Sequence, residues 1–189
     1  MARTDRAYQL KITLHGSKPP IWRRVIVPGH ITLGRLHEVI QITMGWLDCH
    51  LHAFEIAGTT YSGPGPYGYV DDENEFEDER RHRLAELLPR EKMKFRYEYD
   101  FGDDWVHDIV VEKIMPPLAG ARGIVCTGGK LCCPVEDCGG LWGHYSNLRI
   151  LADEKHPEHA EVAEWVGRKF DPEEFDLQAV NDALGKLRA

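Results

Sequence analysis

The sequence predicts an α+β fold: a mixed, largely antiparallel sheet, with one helix after the first hairpin and a C-terminal helical segment. Three observations predict it. Short runs of alternating apolar and polar residues recur through the first 114 positions, the pattern of half-buried strands. Leu33 to Met44 interrupts them with apolar residues at helical spacing, and from Tyr145 onward the pattern is helical throughout. Strands followed by helices, rather than strict alternation of the two, point to a sheet covered by segregated helices. A single domain over residues 1–189 is expected, with a sheet-forming part (1–114), a Cys/Gly/Pro-rich loop (115–144) and a helical extension (145–189).

Tyr8 to Leu14 alternates with period two, and Ile21 to Val27 reads as its partner across the turn at Gly16 to Pro20. Thr32 is placed to cap the helix from Leu33 to Met44, whose stripe is Leu33, Leu36, Ile40 and Met44, and Gly45 stops it. His50 to Ile56 alternates again, and a short strand is expected near Thr60 and Tyr61. The Gly/Pro-rich run from Ser62 and the acidic stretch Asp71 to Glu79 predict a long exposed loop, followed by a short helix at His82 to Leu88. Lys94 to Tyr99 and Val106 to Lys113 are strands joined through a tight turn at Asp100 to Asp104. Met115 to Gly140, rich in Pro, Gly and Cys, is expected to be ordered but irregular. Pro157 suits a first helical position, with His159, Val162, Ala163 and Val166 on one face. Asp171-Pro-Glu-Glu174 has the spacing of a helix start, ahead of the stripe Leu177, Val180, Leu184 and Leu187.

Composition excludes several function classes. Hydrophobic residues make up 42% and charged residues 29% of the 189, ordinary for a globular protein. No apolar run approaches the roughly 18 residues needed to span a bilayer, and Met1 to Ala7 leads into no apolar signal core. A cytoplasmic protein without a membrane partner is the default. The five cysteines are odd in number, with Cys132 and Cys133 adjacent, which favours reduced thiols or metal ligands over disulfides. Net charge is −8. Residues 71–88 hold eight acids against three bases, and the only basic ribbon is Lys18, Arg23 and Arg24. A duplex-binding protein needs a basic face to neutralise phosphates, so charge does not support nucleic acid as a partner. A protein, a peptide or a small ligand remains.

Several segments, in order along nearly the whole chain, resemble the plasmid pRiA4b ORF-3-like family. They are Pro20-Ile-Trp-Arg-Arg24, Leu36-His37, Met44-Gly-Trp46, His50-Leu-His52-Ala-Phe54, Tyr97 to His107 and Cys133-Pro-Val-Glu-Asp-Cys-Gly-Gly140, with Asp171 to Asp176 and Val180-Asn181 in the tail. Val135 stands where the family usually has a second proline. The resemblance implies a link to mobile elements, where some members carry a resolvase label. A serine resolvase needs a nucleophilic serine among arginines, and Ser17, Ser62 and Ser146 have no such company.

Three motifs can carry chemistry. His50-Leu-His52 places two imidazoles on one face of a strand, able to meet one ion or one substrate group, or simply to be solvated. In Asp100-Phe-Gly-Asp-Asp-Trp-Val-His107, Asp103 and His107 can pair if the turn brings them to one rim; otherwise Asp and Gly make the turn, Trp105 packs and His107 bonds across the hairpin. Cys126, Cys133 and Cys138 lack paired Cys-x-x-Cys knuckles, so they read as a zinc loop or as buried thiols. Glu136 and Asp137 precede the flexible pair Gly139-Gly140.

The leading expectation is a binding protein with a polar, aromatic-lined cleft built from His50, His52, Asp103, His107 and Glu136. Trp22, Arg24, His37, Trp46, Asp100, Trp105 and Asp137 complete the candidates. A second is a metal-dependent hydrolase, with His50, His52, Asp103 and His107 on the ion and Glu136 or Asp137 acting on a bound water. A third is a structural zinc loop through Cys126, Cys133 and Cys138. Zinc is the cofactor considered in both, and the sequence does not decide between catalysis and binding.

Overall fold

An eight-stranded sheet frames the protein, in the spatial order β5-β4-β3-β6-β7-β1-β2-β8. The strands are β1 (Ala7–Leu14), β2 (Trp22–Pro28), β3 (His52–Ile56), β4 (Thr59–Ser62), β5 (Glu77–Asp78), β6 (Lys94–Tyr99), β7 (Trp105–Met115) and β8 (Val125–Lys130). The helices are α1 (Leu33–Met44), α2 (Leu84–Leu87), α3 (Gly140–Ala152), α4 (His159–Val166) and α5 (Leu177–Leu184). This is a computed structural model, and it describes residues 6–63, 76–117, 123–167 and 170–187. Of the long loop expected after Ser62, residues 64–75 lie outside the described part. Every strand pair is antiparallel except β4 with β5, so the fold is α+β as the sequence predicts.

Period-two alternation gives the sheet one buried and one open face. Tyr8, Leu10, Ile12 and Leu14 of β1 point inward, while Gln9, Lys11 and Thr13 stay half-buried on the other side. β6 buries Phe95, Tyr97 and Tyr99, and β7 buries Trp105, His107, Ile109 and Val111. α1 closes this inner face with Leu33, Leu36, Val39, Ile40 and Met44. Its start and stop are local: Thr32 Oγ1 accepts a hydrogen bond from the Arg35 amide at 3.2 Å, and Gly45 takes φ 95°. Truncating a fully buried α1 residue such as Leu36 to alanine would cost about 2–5 kcal/mol, the transfer term plus a cavity.

Arg23 breaks the apolar pattern of the inner face. Its guanidinium is buried, which draws its pKa below the ordinary value. Nε donates to the Thr43 carbonyl at 2.7 Å, and Nη1 donates to the carbonyls of Trp22 and Lys130 at 2.9 and 3.0 Å. The Phe175 ring lies 4.3 Å away. Arg23 therefore ties the end of α1, the end of β8 and the C-terminal segment to one strand.

The structure departs from the sequence reading in the loop and the tail. The expected irregular stretch contains β8, which pairs with β2 through Val25↔Cys126 and Arg23↔Gly129. α3 begins at Gly140, five residues before the expected helical onset at Tyr145, because Gly143 lets its first turn close against the Cys138 carbonyl. Asp171 to Glu174 is a turn, closed from the Glu174 amide to the Asp171 carbonyl at 3.1 Å. The helix expected there starts at Leu177, where Asp176 caps the Ala179 amide at 2.9 Å. Leu184 of its stripe is buried, Val180 and Leu187 pack against the core, and Leu177 stays exposed. All five cysteines are free thiols. Among the described residues no helix is long and apolar enough to cross a membrane.

Candidate functional site

Pairing of β3 with β6 sets His52 opposite Tyr99 and Phe54 opposite Tyr97. Tyr97 and Tyr99, two apart, share the inner face of β6, and each carries a polar cluster on its hydroxyl.

The cluster at Tyr97 is a buried histidine pair. His37 comes from α1, with Gln41 one turn later, and His52 opens β3. Their rings stack at 3.5 Å with planes 6° apart. Gln41 donates to the Tyr97 hydroxyl at 2.9 Å, and His37 Nδ1 lies 2.7 Å from the same oxygen. The hydroxyl proton is then free to point at Nδ1, which leaves His37 Nε2 to donate to Asp48 at 2.8 Å. His52 Nε2 meets Glu79 at 2.8 Å. Glu79 enters from a short 3-10 turn (Glu79–Arg81), and its carboxylate occupies the space a β-carbon would need at Gly63 and lies close to where one would stand at Gly34. Burial lowers the His52 pKa, opposed by the Glu79 bond. Burial would raise Asp48, but its bond to His37 together with the charge interactions of His37 and His52 outweighs that and holds the carboxyl below its usual value. Burial pushes the Tyr97 phenol well up.

The cluster at Tyr99 is an acidic notch around His50. Nε2 of this half-buried ring lies 3.2 Å from Asp137 Oδ1, 3.5 Å from Glu136 Oε2 and 3.7 Å from Asp100 Oδ2. That nitrogen is shielded from solvent and has no hydrogen-bond partner. The carboxylates are held from behind. The Leu47 amide donates to Glu136 Oε1 at 2.8 Å, and the Tyr99 hydroxyl reaches both Glu136 oxygens at 3.1 and 3.2 Å. Asp100 Oδ1 accepts from the Gly102 amide at 3.0 Å, which leaves Oδ2 toward His50. The Cys49 amide donates to the Tyr99 hydroxyl at 3.0 Å, and the Tyr99 ring packs 5.0 Å from Trp46. Asp100 and Asp137 both hold left-handed backbone, at φ 57° and 55°. Asp100 is buried and Asp137 exposed, so the notch opens past Asp137.

The expected site residues divide accordingly. The strand face expected to carry both His50 and His52 is not formed: His50 sits in a bend two residues before β3, and the two serve different partners, His50 the acidic notch and His52 the stacked pair. Asp103 and His107 are not brought together. Asp103 accepts from the Gly139 amide at 3.1 Å and so fastens the 134–140 loop. His107 is fully buried, with Nδ1 3.3 Å from the Tyr97 carbonyl, Nε2 shielded and without a hydrogen bond, and the ring edge-on to Trp46 at 5.2 Å. Burial drives its pKa down to about 4. Trp105 packs in the core, and Trp46 closes the notch from below while its Nε1 donates to the Pro134 carbonyl at 3.1 Å. Trp22 and Arg24 lie on the opposite, open face of the sheet. There Arg24 pairs with Glu112 at 2.7 and 3.0 Å, and Trp22 has Arg24 and Lys11 over its ring at 5.0 and 5.5 Å.

Among the described residues Cys126, Cys133 and Cys138 form no ligand group with one another. Cys126 bonds the Gly128 carbonyl, Cys138 the Gly140 carbonyl, and Cys133 is buried, with burial raising all three thiols. Among the described residues, three groups of metal-type donors lie within 4.8 Å of one another: His37, Asp48 and His52; Cys49, His50 and Glu136; His50, Asp100 and Asp137. Sequence reading missed Asp48, Glu79, Gln41, Tyr97 and Tyr99. The alternation of Tyr97 and Tyr99 signals a shared face, whereas Glu79 sits in an acidic run with no local sign of burial.

Comparison with known proteins extends the resemblance. The uncharacterized protein y4hQ of Sinorhizobium fredii (strain NBRC 101917 / NGR234) is 36% identical over 189 residues, which covers 96% of this chain and 92% of that protein. The crystal structure of a protein of unknown function, MM3350 from Methanosarcina mazei Go1, matches with a TM-score of 0.80 at 35% identity, over 92% of this chain and 96% of that one. The family model for plasmid pRiA4b ORF-3-like protein matches residues 6–179, and the chain belongs to the pRiA4b ORF-3-like family.

Proposed function

We propose that this protein is a binding protein whose recognition site is the notch around His50, and that the group it takes is positively charged. One observation carries the reading: three carboxylates crowd a shielded, unbonded imidazole nitrogen at 3.2, 3.5 and 3.7 Å. Carboxylates gathered in a partly buried site repel one another, and a cation among them removes that cost. Backbone amides and the Tyr99 hydroxyl hold two of the three in place before any ligand arrives, which limits the ordering cost of binding. Exposed Leu47 and Phe101 are chain neighbours of the notch: the Leu47 amide holds Glu136, and Phe101 follows Asp100.

The metal-dependent hydrolase considered from the sequence needs His50, His52, Asp103 and His107 on one ion, and these side chains meet separate partners; a thiol hydrolase would instead use Cys49 beside His50 and Glu136. The environment opposes it: burial first, then the charges of Glu136 and Asp137, push the Cys49 thiol up, opposite to an activated thiolate.

Thermal unfolding of the full chain, with and without small cations (zinc, manganese, agmatine) and anions (phosphate, acetate), tests the proposal. Cations should raise Tm, and Asp137→Asn should remove most of that rise. Stabilisation by anions alone would overturn it.

A further inference from the structure

We infer that the group seated in the notch is a single divalent transition-metal ion, ligated by His50 Nε2 and by carboxylate oxygens of Asp100 and Asp137, with Glu136 alongside at 3.5 Å from the same nitrogen. The inference rests on the reading of the notch as a cation site and names its occupant.

Size favours an ion over an organic cation. Around zinc, ligand distances are about 2.0–2.2 Å, so neighbouring tetrahedral donors lie about 3.4 Å apart. His50 Nε2 stands 3.2–3.7 Å from the three carboxylate oxygens. An ammonium or guanidinium needs its acceptors about 2.8 Å away, which spreads them to about 4.6 Å from each other. His50 Nε2 stands closer than that to all three carboxylate oxygens, and the donors of His50, Asp100 and Asp137 all lie within 4.8 Å of one another.

Donor chemistry narrows the ion. One imidazole nitrogen among oxygens suits zinc, manganese, iron, cobalt or nickel, whereas calcium and magnesium prefer all-oxygen shells. The nitrogen needed is the one that has no other partner. Behind the carboxylates stand the supports a metal site requires: the Leu47 amide and Tyr99 hydroxyl on Glu136, and the Gly102 amide on Asp100. Exposed Asp137 leaves an open side for solvent or a further ligand. Cys49 Sγ forms a donor group with His50 and Glu136. The His37 and His52 pair is not a second such site. Its rings are parallel, so their lone pairs do not converge, and both nitrogens of His37 are already bonded.

Cobalt(II) titration of tag-free, chelator-treated full-length protein, followed by visible absorption, tests the assignment. One cobalt per chain is expected, with d–d bands of a low-symmetry N/O site that zinc displaces. His50→Ala should abolish the bands, Asp137→Asn should weaken binding at least tenfold, and Cys126→Ser with Cys133→Ser should leave it unchanged. Asp137 is exposed, so its variant reports even if His50→Ala misfolds by circular dichroism. Cobalt bands that survive both notch variants would place the ion elsewhere and overturn the inference. No binding of cobalt, zinc or manganese, with agmatine still raising Tm, would overturn the ion and leave the cation site. Failure of every cation would overturn both.

Discussion

The imidazoles of His37 and His52 lie face to face at 3.5 Å, although one comes from a helix and the other from a strand. Each ring is anchored by a carboxylate from a separate connection, Asp48 from the loop after α1 and Glu79 from the turn before α2. Asp48 is two residues from His50, so the stack also fixes the chain on which the acidic notch is built. Removing an anchor should therefore be felt beyond the pair.

Glu79→Ala tests that. The variant leaves His52 Nε2 buried and unpaired and opens a void against Gly34 and Gly63. Loss of a buried charged hydrogen bond of this kind costs about 2–3 kcal/mol. Urea unfolding should show that loss. A change below about 0.5 kcal/mol, the scale of an ordinary surface substitution, would mean that the carboxylate does not hold the pair.

His107 makes stability depend on pH. In the unfolded chain its imidazole protonates near the ordinary value of about 6.5, but burial in the fold holds it down to about 4. Between those values the unfolded chain binds more protons, so stability falls as pH drops through the window and is unaffected by this group above it. At about 1.4 kcal/mol per pH unit the loss approaches about 3 kcal/mol near pH 4. Urea unfolding at pH 7.0 and pH 4.5 should show a smaller drop for His107→Gln than for the parent. Equal drops would remove His107 as the cause.

How far the sequence announces this structure depends on whether the cause is local. α1 was readable to the residue, because Thr32, the stripe from Leu33 and Gly45 are all within it. β8 was not, because Gly128 and Gly129 break its pattern for tertiary reasons: one lies under Trp22, the other against Phe175 and Arg23. Their spacing predicts a shared strand side for His50 and His52, but β3 begins only at His52, and the division between two clusters is decided by Glu79 and the 134–140 loop, remote in sequence. Glu79 reads as one more solvated acid until Gly34, Gly63 and His52 enclose it. Trp22 and Arg24 read as cleft residues by their neighbourhood, yet strand alternation sends Arg23 inward and those two outward.

Arg23→Lys probes the buried guanidinium. A lysine keeps the charge but cannot bridge the carbonyls of Thr43, Trp22 and Lys130 at once, nor lie flat on Phe175. The expected cost is about 2–3 kcal/mol, since a buried cation would be left partly unsatisfied. The C-terminal segment should loosen first, read as faster amide exchange in α5, which packs on β8 and α1. Unchanged exchange there would show that Phe175 holds without Arg23.

Gly143→Ala separates the notch from the rest of the fold. A β-carbon there would fall on the Cys138 carbonyl, backbone that cannot yield as a flexible side chain would. The turn between Asp137 and α3 must shift, and it is fixed on its other side by the Gly139 amide on Asp103. The displacement therefore passes to Asp137 and Glu136, which sit directly before it, while the histidine stack is anchored elsewhere, by Asp48 and Glu79. Cation binding should weaken at least tenfold, with the urea midpoint of the sheet lowered far less in proportion. If binding persists while the midpoint collapses, Gly143 serves the fold as a whole, and the positions of Glu136 and Asp137 are set from the Leu47 and Tyr99 side instead.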